Sequence, residues 1–242
     1  MLDYKILNWH KIAAVKKLIF IFVMLVYADH CLAQEVVTRK NKLTDMVTEK
    51  YQTIISAGKQ IKQGIYNSFY DRSTVIANGS YANDKKKGIW HFFNQNGKLI
   101  ENYNYDTNSL LYEASEDSTS NIRYSIDNKI TFTDVVTKPV RPGGRYYGYV
   151  PYLRAFKLPD DMFNIYREEY TVTLELLVSS MGRLADFKIH IRSLNFERVI
   201  NIDTGSIDEQ DRVFIPATVN NTPVLSNIFV ECYITKLNGL DM

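Results

Sequence analysis

The runs Tyr170-Thr-Val-Thr-Leu-Glu-Leu-Leu-Val178 and Arg183-Leu-Ala-Asp-Phe-Lys-Ile-His-Ile191, joined by Ser179-Ser-Met-Gly182, decide the fold class. In the first run Val172, Leu174, Leu176 and Val178 fall on one face. In the second, Ala185, Phe187, Ile189 and Ile191 share a face, with Leu184, Asp186, Lys188 and His190 opposite. Strand side chains alternate with period two, so two such runs about a glycine turn predict an antiparallel hairpin. Downstream, Arg212-Val-Phe-Ile-Pro-Ala-Thr-Val-Asn-Asn-Thr-Pro-Val224 leads into a last strand over 227–235. There Ile228, Val230, Cys232 and Ile234 form an apolar face expected to pack on a helix. Phe229, Glu231, Tyr233 and Thr235 point the other way. Cys232 reads as a small buried apolar group.

Upstream, the chain repeats itself. A shift of 24 residues aligns Gly64 with Gly88, Ile65 with Ile89, Tyr66 with Trp90 and Phe69 with Phe93. It also matches Val75 with Leu99, Ile76 with Ile100, Asn78 with Asn102 and Tyr81 with Tyr105. Each unit is a pair of strands, and stacked units make a continuous sheet. Asn83-Asp-Lys-Lys-Lys-Gly88 and Asn94-Gln-Asn-Gly97 carry the turn chemistry. Aromatic bulk on both faces of 89–93 predicts packing on each side, and the Lys85–Lys87 run reads as a solvated hairpin tip. A leading strand is expected over 49–56, a loop over 115–120 and a further strand over 130–136.

Ahead of the repeat, Lys11, Lys16 and Lys17 precede the apolar run 18–27, and Cys31-Leu-Ala33 offers small residues for cleavage. The run is about half of the roughly 20 residues a spanning helix needs, so 1–33 reads as a secretory signal cleaved after Ala33. An uncleaved anchor is the competitor; Ala28-Asp29-His30 is a poor approach to a lipid-modified Cys31. Without residues 1–33 the chain keeps 25 basic and 25 acidic residues. The formal charge of +2 therefore belongs to the signal, and no global basicity points to nucleic acid. One remaining cysteine excludes an internal disulfide.

The repeat residues, clearest in Gly79-Ser-Tyr-Ala-Asn-Asp-Lys-Lys-Lys-Gly-Ile-Trp-His-Phe-Phe-Asn-Gln-Asn-Gly-Lys-Leu99, resemble the variant MORN repeat over about 49–112. The second half, about 138–236, resembles the C-terminal domain of TonB energy-transducing proteins. Pro142-Gly-Gly144, the stretch 153–159, the turn at 179–182, Pro216-Ala217 and Asn220-Asn-Thr-Pro-Val224 occur in that family's order. Departures are Phe214 where the family has Trp, Asn221 for a turn glycine, and a poor match to its helix before Arg212. Only Ser206-Ile-Asp-Glu209 marks a short capped helix there. A proline-rich spacer is missing as well.

The reading is therefore a β-rich two-module chain: signal at 1–33, antiparallel β-meander of MORN-like hairpins at 34–137, and an α+β domain of TonB C-terminal type at 138–242. The Pro/Gly cluster 139–144 is the expected boundary, with a separate core on each side. The resemblance implies a periplasmic, non-catalytic interaction module. It would bind an extended protein segment, an outer-membrane transporter being the implied partner, by strand addition beside the final strand, where Phe229, Glu231, Tyr233 and Thr235 would select side chains. A homodimer is compatible with this; no metal, cofactor or nucleic acid is expected. One alternative is an anchored energy-transduction component. Another is a dimeric aspartic protease using Asp203 of Val199-Ile-Asn-Ile-Asp-Thr-Gly-Ser206, whose chemistry needs a second carboxylate nearby. His91 and His190 carry no metal-ligand spacing.

Overall fold

The computed structural model describes Lys16 and residues 35–116, 120–163 and 165–242. The expected signal with Cys31 lies, Lys16 apart, outside the described residues. Antiparallel sheets dominate. The first is a meander of β1 (Val37–Lys42), β2 (Val47–Ser56), β3 (Lys59–Tyr70), β4 (Thr74–Ala82), β5 (Lys85–Phe93), β6 (Leu99–Asn104) and β7 (Ser109–Glu113), neighbours in space as in sequence. Asn83 and Asp84 both take positive φ (50° and 63°), which lets a two-residue turn join β4 to β5 without splaying them. At the next turn the Asn94 side chain accepts the N–H groups of Asn96 and Lys98.

The 24-residue repeat is real in three dimensions. Tyr66 and Trp90 are buried at equivalent places, as are Ile76 and Ile100, while Ile65 and Ile89 face solvent. Packing on both sides of 89–93 is not seen: Trp90 and Phe92 are buried, whereas His91 and Phe93 on the other face are half-buried. The ring of His91 is satisfied by Asn102 at 2.7 Å.

A second sheet contains β8 (Ile122–Ile126), β10 (Thr171–Val178), β11 (Leu184–Ser193), β12 (Phe196–Asn201), β15 (Ser226–Ile234) and β16 (Leu240–Asp241). Its order is β12-β11-β10-β15, with β8 and β16 both on the far side of β15. The predicted hairpin is β10–β11, and Val172, Leu174, Leu176 and Val178 are fully buried. One facing is reversed. Val178 pairs with Leu184 while Leu177 pairs with Asp186, so Ala185 is the extra residue of a bulge. Leu184 turns inward and Ala185 outward, the local switch a bulge imposes. A three-stranded ribbon, β14-β13-β9, is made by β9 (Val136–Thr137), β13 (Ala217–Val219) and β14 (Thr222–Val224), its turn supplied by Asn220 and Asn221 at positive φ.

Two expectations about 138–242 fail. The sheets change hands between Glu113 and Ile122, not at the Pro/Gly cluster: β8 and β9, both upstream of it, pair with strands of the second half. Residues 141–144 are buried rather than forming an exposed linker. Gly143 (φ 132°) donates its N–H to the Glu101 carboxylate at 2.7 Å. A Cβ on Gly144 would sit 2.9 Å from Phe92, so its absence lets the turn lie against β5.

The helix expected to pack on the last strand is a single α-helical turn, α1 (Val150–Leu153), after a 3₁₀ turn at Tyr147–Tyr149. Pro151 sits in its first turn, where proline is tolerated, and with Gly148 it disfavours extension toward the N-terminus. This segment fills the space between the sheets. Tyr146, Tyr147 and Val150 belong to the core of the meander, and Tyr149, Tyr152 and Leu153 to the core that includes the apolar face of β15. The capped helix at 206–209 is replaced by 3₁₀ turns at Thr204–Ser206 and Glu209–Arg212, because Ser206 Oγ donates to the Asp203 carbonyl instead. Strand character expected over 130–136 is confined to β9; the strand lies earlier, at β8, where Ile122, Tyr124 and Ile126 alternate.

Candidate functional site

The final strand is not a free edge. Asn227 through Val230 pair with Ser125 through Ile122 of β8, Glu231 N–H reaches the Asn121 carbonyl at 2.8 Å, and Tyr233 and Ile234 pair with β16. The four residues assigned to partner selection have structural partners instead. Phe229 is half-buried between Glu175 and Arg123 in the register, and Glu231 pairs with Arg123 at 2.7 Å. Tyr233 donates to Asp241, and Thr235 is buried with its hydroxyl on Asp45. The physical reason is the path of residues 120–126. Once β8 leaves the meander it meets the unpaired side of β15, whose N–H and C=O groups it satisfies.

The free edge of the second sheet is at the opposite end, on β12, which among the described residues pairs only with β11. Ile202 N–H donates to the Phe187 carbonyl at 2.9 Å, so antiparallel alternation turns the main-chain groups of Phe196, Arg198 and Ile200 toward β11. Those of Glu197, Val199 and Asn201 point outward. Val199 is exposed beside them, and Leu194 at the hairpin tip is 96% exposed. Ion pairs Arg192–Glu197 (2.8 Å) and Arg198–Asp161 (2.7 Å) hold the strand's side chains along its two flanks.

A second concave feature lies where β3–β5 meet the 141–154 segment and the 208–211 turn, a cavity of about 310 Å³. Tyr66, Arg141 and Tyr147 are among its lining residues, with Tyr147 donating to Tyr66 at 2.7 Å. Lys86, read from the sequence as a solvated tip residue, is only 8% exposed at its side chain. Strand alternation puts it on the face of β5 that carries Trp90 and Phe92, while Lys85 and Lys87 stay in solvent. Lys86 Nζ and Arg141 Nη2 both donate to the same atom, Asp211 Oδ1, at 3.3 and 2.7 Å. Arg141 Nη1 holds the Val213 carbonyl at 3.0 Å, and its Nε is buried with no acceptor among the described residues. Lys86 also lies over Trp90, Tyr105 and Tyr147, 5.3–5.9 Å from the ring centres. Burial works against the Asp211 charge, but Lys86 and Arg141 outweigh it and hold the carboxyl below its ordinary value. Burial likewise opposes the Lys86 charge, and Asp211 more than restores it.

Asp203 stands exposed at the start of its 3₁₀ turn and accepts the Gly205 N–H at 2.9 Å. His190 bonds Glu175 across the sheet at 2.6 Å. Cys232 is buried, and burial pushes its thiol up. Among the described residues no three of His, Cys, Asp and Glu are grouped to hold a metal ion. Sequence reasoning missed Lys86, Arg141 and Asp211. The first sits in a lysine run, and the other two come within reach of it only through the packing of 141–154 and 208–211 on the meander.

Set beside models of known families, curated proteins and solved structures, the chain finds no match.

Proposed function

We propose that this is a cell-envelope binding protein, in which a MORN-like meander supports a TonB C-terminal-like sheet that captures an extended protein segment by strand addition. The secretory pattern at 1–33 supports the envelope location, and the order of motifs over 138–236 supports the kinship. The observation that carries the binding mode is the free edge of β12, with outward main-chain groups at Glu197, Val199 and Asn201. Main-chain hydrogen bonds supply affinity at such an edge, while neighbouring side chains select the partner. The proposed edge is thus β12 rather than the final strand. An N-terminal segment of an outer-membrane transporter is the partner that the resemblance implies.

The test is a titration of the isotope-labelled protein with such segments from transporters encoded beside it. Shifts are expected on 196–201. Val199→Pro removes an outward N–H without touching the β11 pairing. It is expected to weaken binding by at least about tenfold, the scale of one lost main-chain hydrogen bond with a steric block. Unchanged binding in that variant, or shifts confined to β1 or β7, rejects the edge.

A further inference from the structure

Around the junction cavity, donors outnumber acceptors. Lys86 and Arg141 are two buried cations on one oxygen of Asp211. Among the described residues Lys86 Nζ, with three N–H groups, has a single hydrogen-bond acceptor, and Arg141 Nε has none. The Tyr81 hydroxyl and the Arg154 guanidinium, both on the cavity lining, have no hydrogen-bond or ion-pair partner among the described residues. The other acids do not close the balance. Glu49 is taken by Lys62 at 3.3 Å, and Asp84 and Asp208 are exposed at the rim. Glu101, on the far side of Gly143, is pushed up to about 7 by burial and supplies only part of a charge.

A desolvated surplus of about one positive charge is costly unless an anion meets it. The wall also carries the rings of Tyr66, Tyr81 and Tyr147 and the apolar groups of Leu43, Val150 and Pro151. The volume lies at the small end of ligand sites. We propose that this cavity binds a small organic monocarboxylate, its carboxylate received by Lys86 and Tyr81, its apolar body against Tyr66 and Tyr147, and Arg154 at the mouth. A single net cation matches one carboxylate better than a dianion, and an edge-to-face tyrosine wall gives an apolar body something to bury against. This site is independent of the β12 edge.

Calorimetric titration at fixed ionic strength with benzoate, acetate, inorganic phosphate and chloride tests it. Benzoate is expected to bind at least about tenfold more tightly than acetate, since the ring contacts add a few hydrophobic and aromatic interactions. Phosphate should do no better than chloride. Lys86→Gln should weaken benzoate by at least about tenfold, the weight of a charged hydrogen bond. Should that variant fail to fold, the rim variants Tyr81→Phe and Arg154→Gln carry the test, each expected to cost about threefold or more. Benzoate binding no better than chloride, phosphate binding more tightly than benzoate, or unchanged affinity in the variants that fold overturns the proposal.

Discussion

Lys62 and Lys86 stand 24 residues apart, two positions before the repeat glycines Gly64 and Gly88, and their surroundings are the same up to a point. Lys62 lies over Tyr51, Tyr66 and Tyr81; Lys86 lies over Trp90, Tyr105 and Tyr147. Two rings of each cage are repeat equivalents, Tyr66 with Trp90 and Tyr81 with Tyr105. The third ring and the counter-ion differ. Lys62 takes both from the adjacent strand, Tyr51 and Glu49. Lys86 takes both from the second half, Tyr147 and Asp211. The same substitution of roles occurs on β6, where Glu101 receives Gly143 and its repeat equivalent Ala77 on β4 is a buried apolar residue. A repeat unit thus builds the cage locally, and the unit that carries extra polar groups is the one the second half docks on.

The sharpest break of this comparison is Asp211→Asn. It leaves Lys86 and Arg141 buried without a counter-charge, and the expected loss is about 3–5 kcal/mol of unfolding free energy by chemical denaturation. Glu49→Gln, the matching change in the first unit, should cost only about 1 kcal/mol because Lys62 is nearer to water. Equal losses would mean that the two cages are energetically alike.

A somewhat smaller effect is expected from pH. Burial raises the Glu101 carboxyl from an ordinary 4.5 to about 7, with the Gly143 and Gly144 N–H groups only partly offsetting it. The unfolded chain therefore loses this proton first. The contribution is fully present below pH 4.5 and is lost as pH rises through 7, a change of about 3 kcal/mol. Denaturation midpoints at pH 5 and pH 8 should converge in Glu101→Gln relative to the natural protein. A pH dependence unchanged by that substitution would remove Glu101 from the docking account.

The smallest expected effect is Lys62→Met, about 1 kcal/mol or less, since its side chain is 29% exposed and the methionine still covers the rings. A larger loss would show that the first cage carries a burden of its own, and the contrast with Lys86 would fail.

What the sequence determined by itself are the features that depend on neighbours along the chain. Period-two alternation placed β10, β11 and β15, and the 24-residue shift placed β3 through β6 as paired strands, while the burial of Tyr66, Ile76, Trp90 and Ile100 came from the packed structure. Turn residues marked the hairpins at Asn83-Asp84, Gly97 and Asn220-Asn221. The bulge at Ala185 was hidden because one extra residue leaves the composition of a strand unchanged while reversing its facing. Tertiary structure alone decided what lies beside the final strand, since pairing β15 with β8 joins residues about a hundred positions apart and no local pattern records it. It also decided that Pro142-Gly-Gly144 is a buried docking turn: the same residues suit a linker or a close approach, and only the presence of Phe92, Ile100 and Glu101 opposite them selects the second. Lys86, finally, is one lysine of three in sequence. Its neighbours Lys85 and Lys87 remain in water because β5 points them outward, and Lys86 is buried because the rings and Asp211 together replace the water it loses.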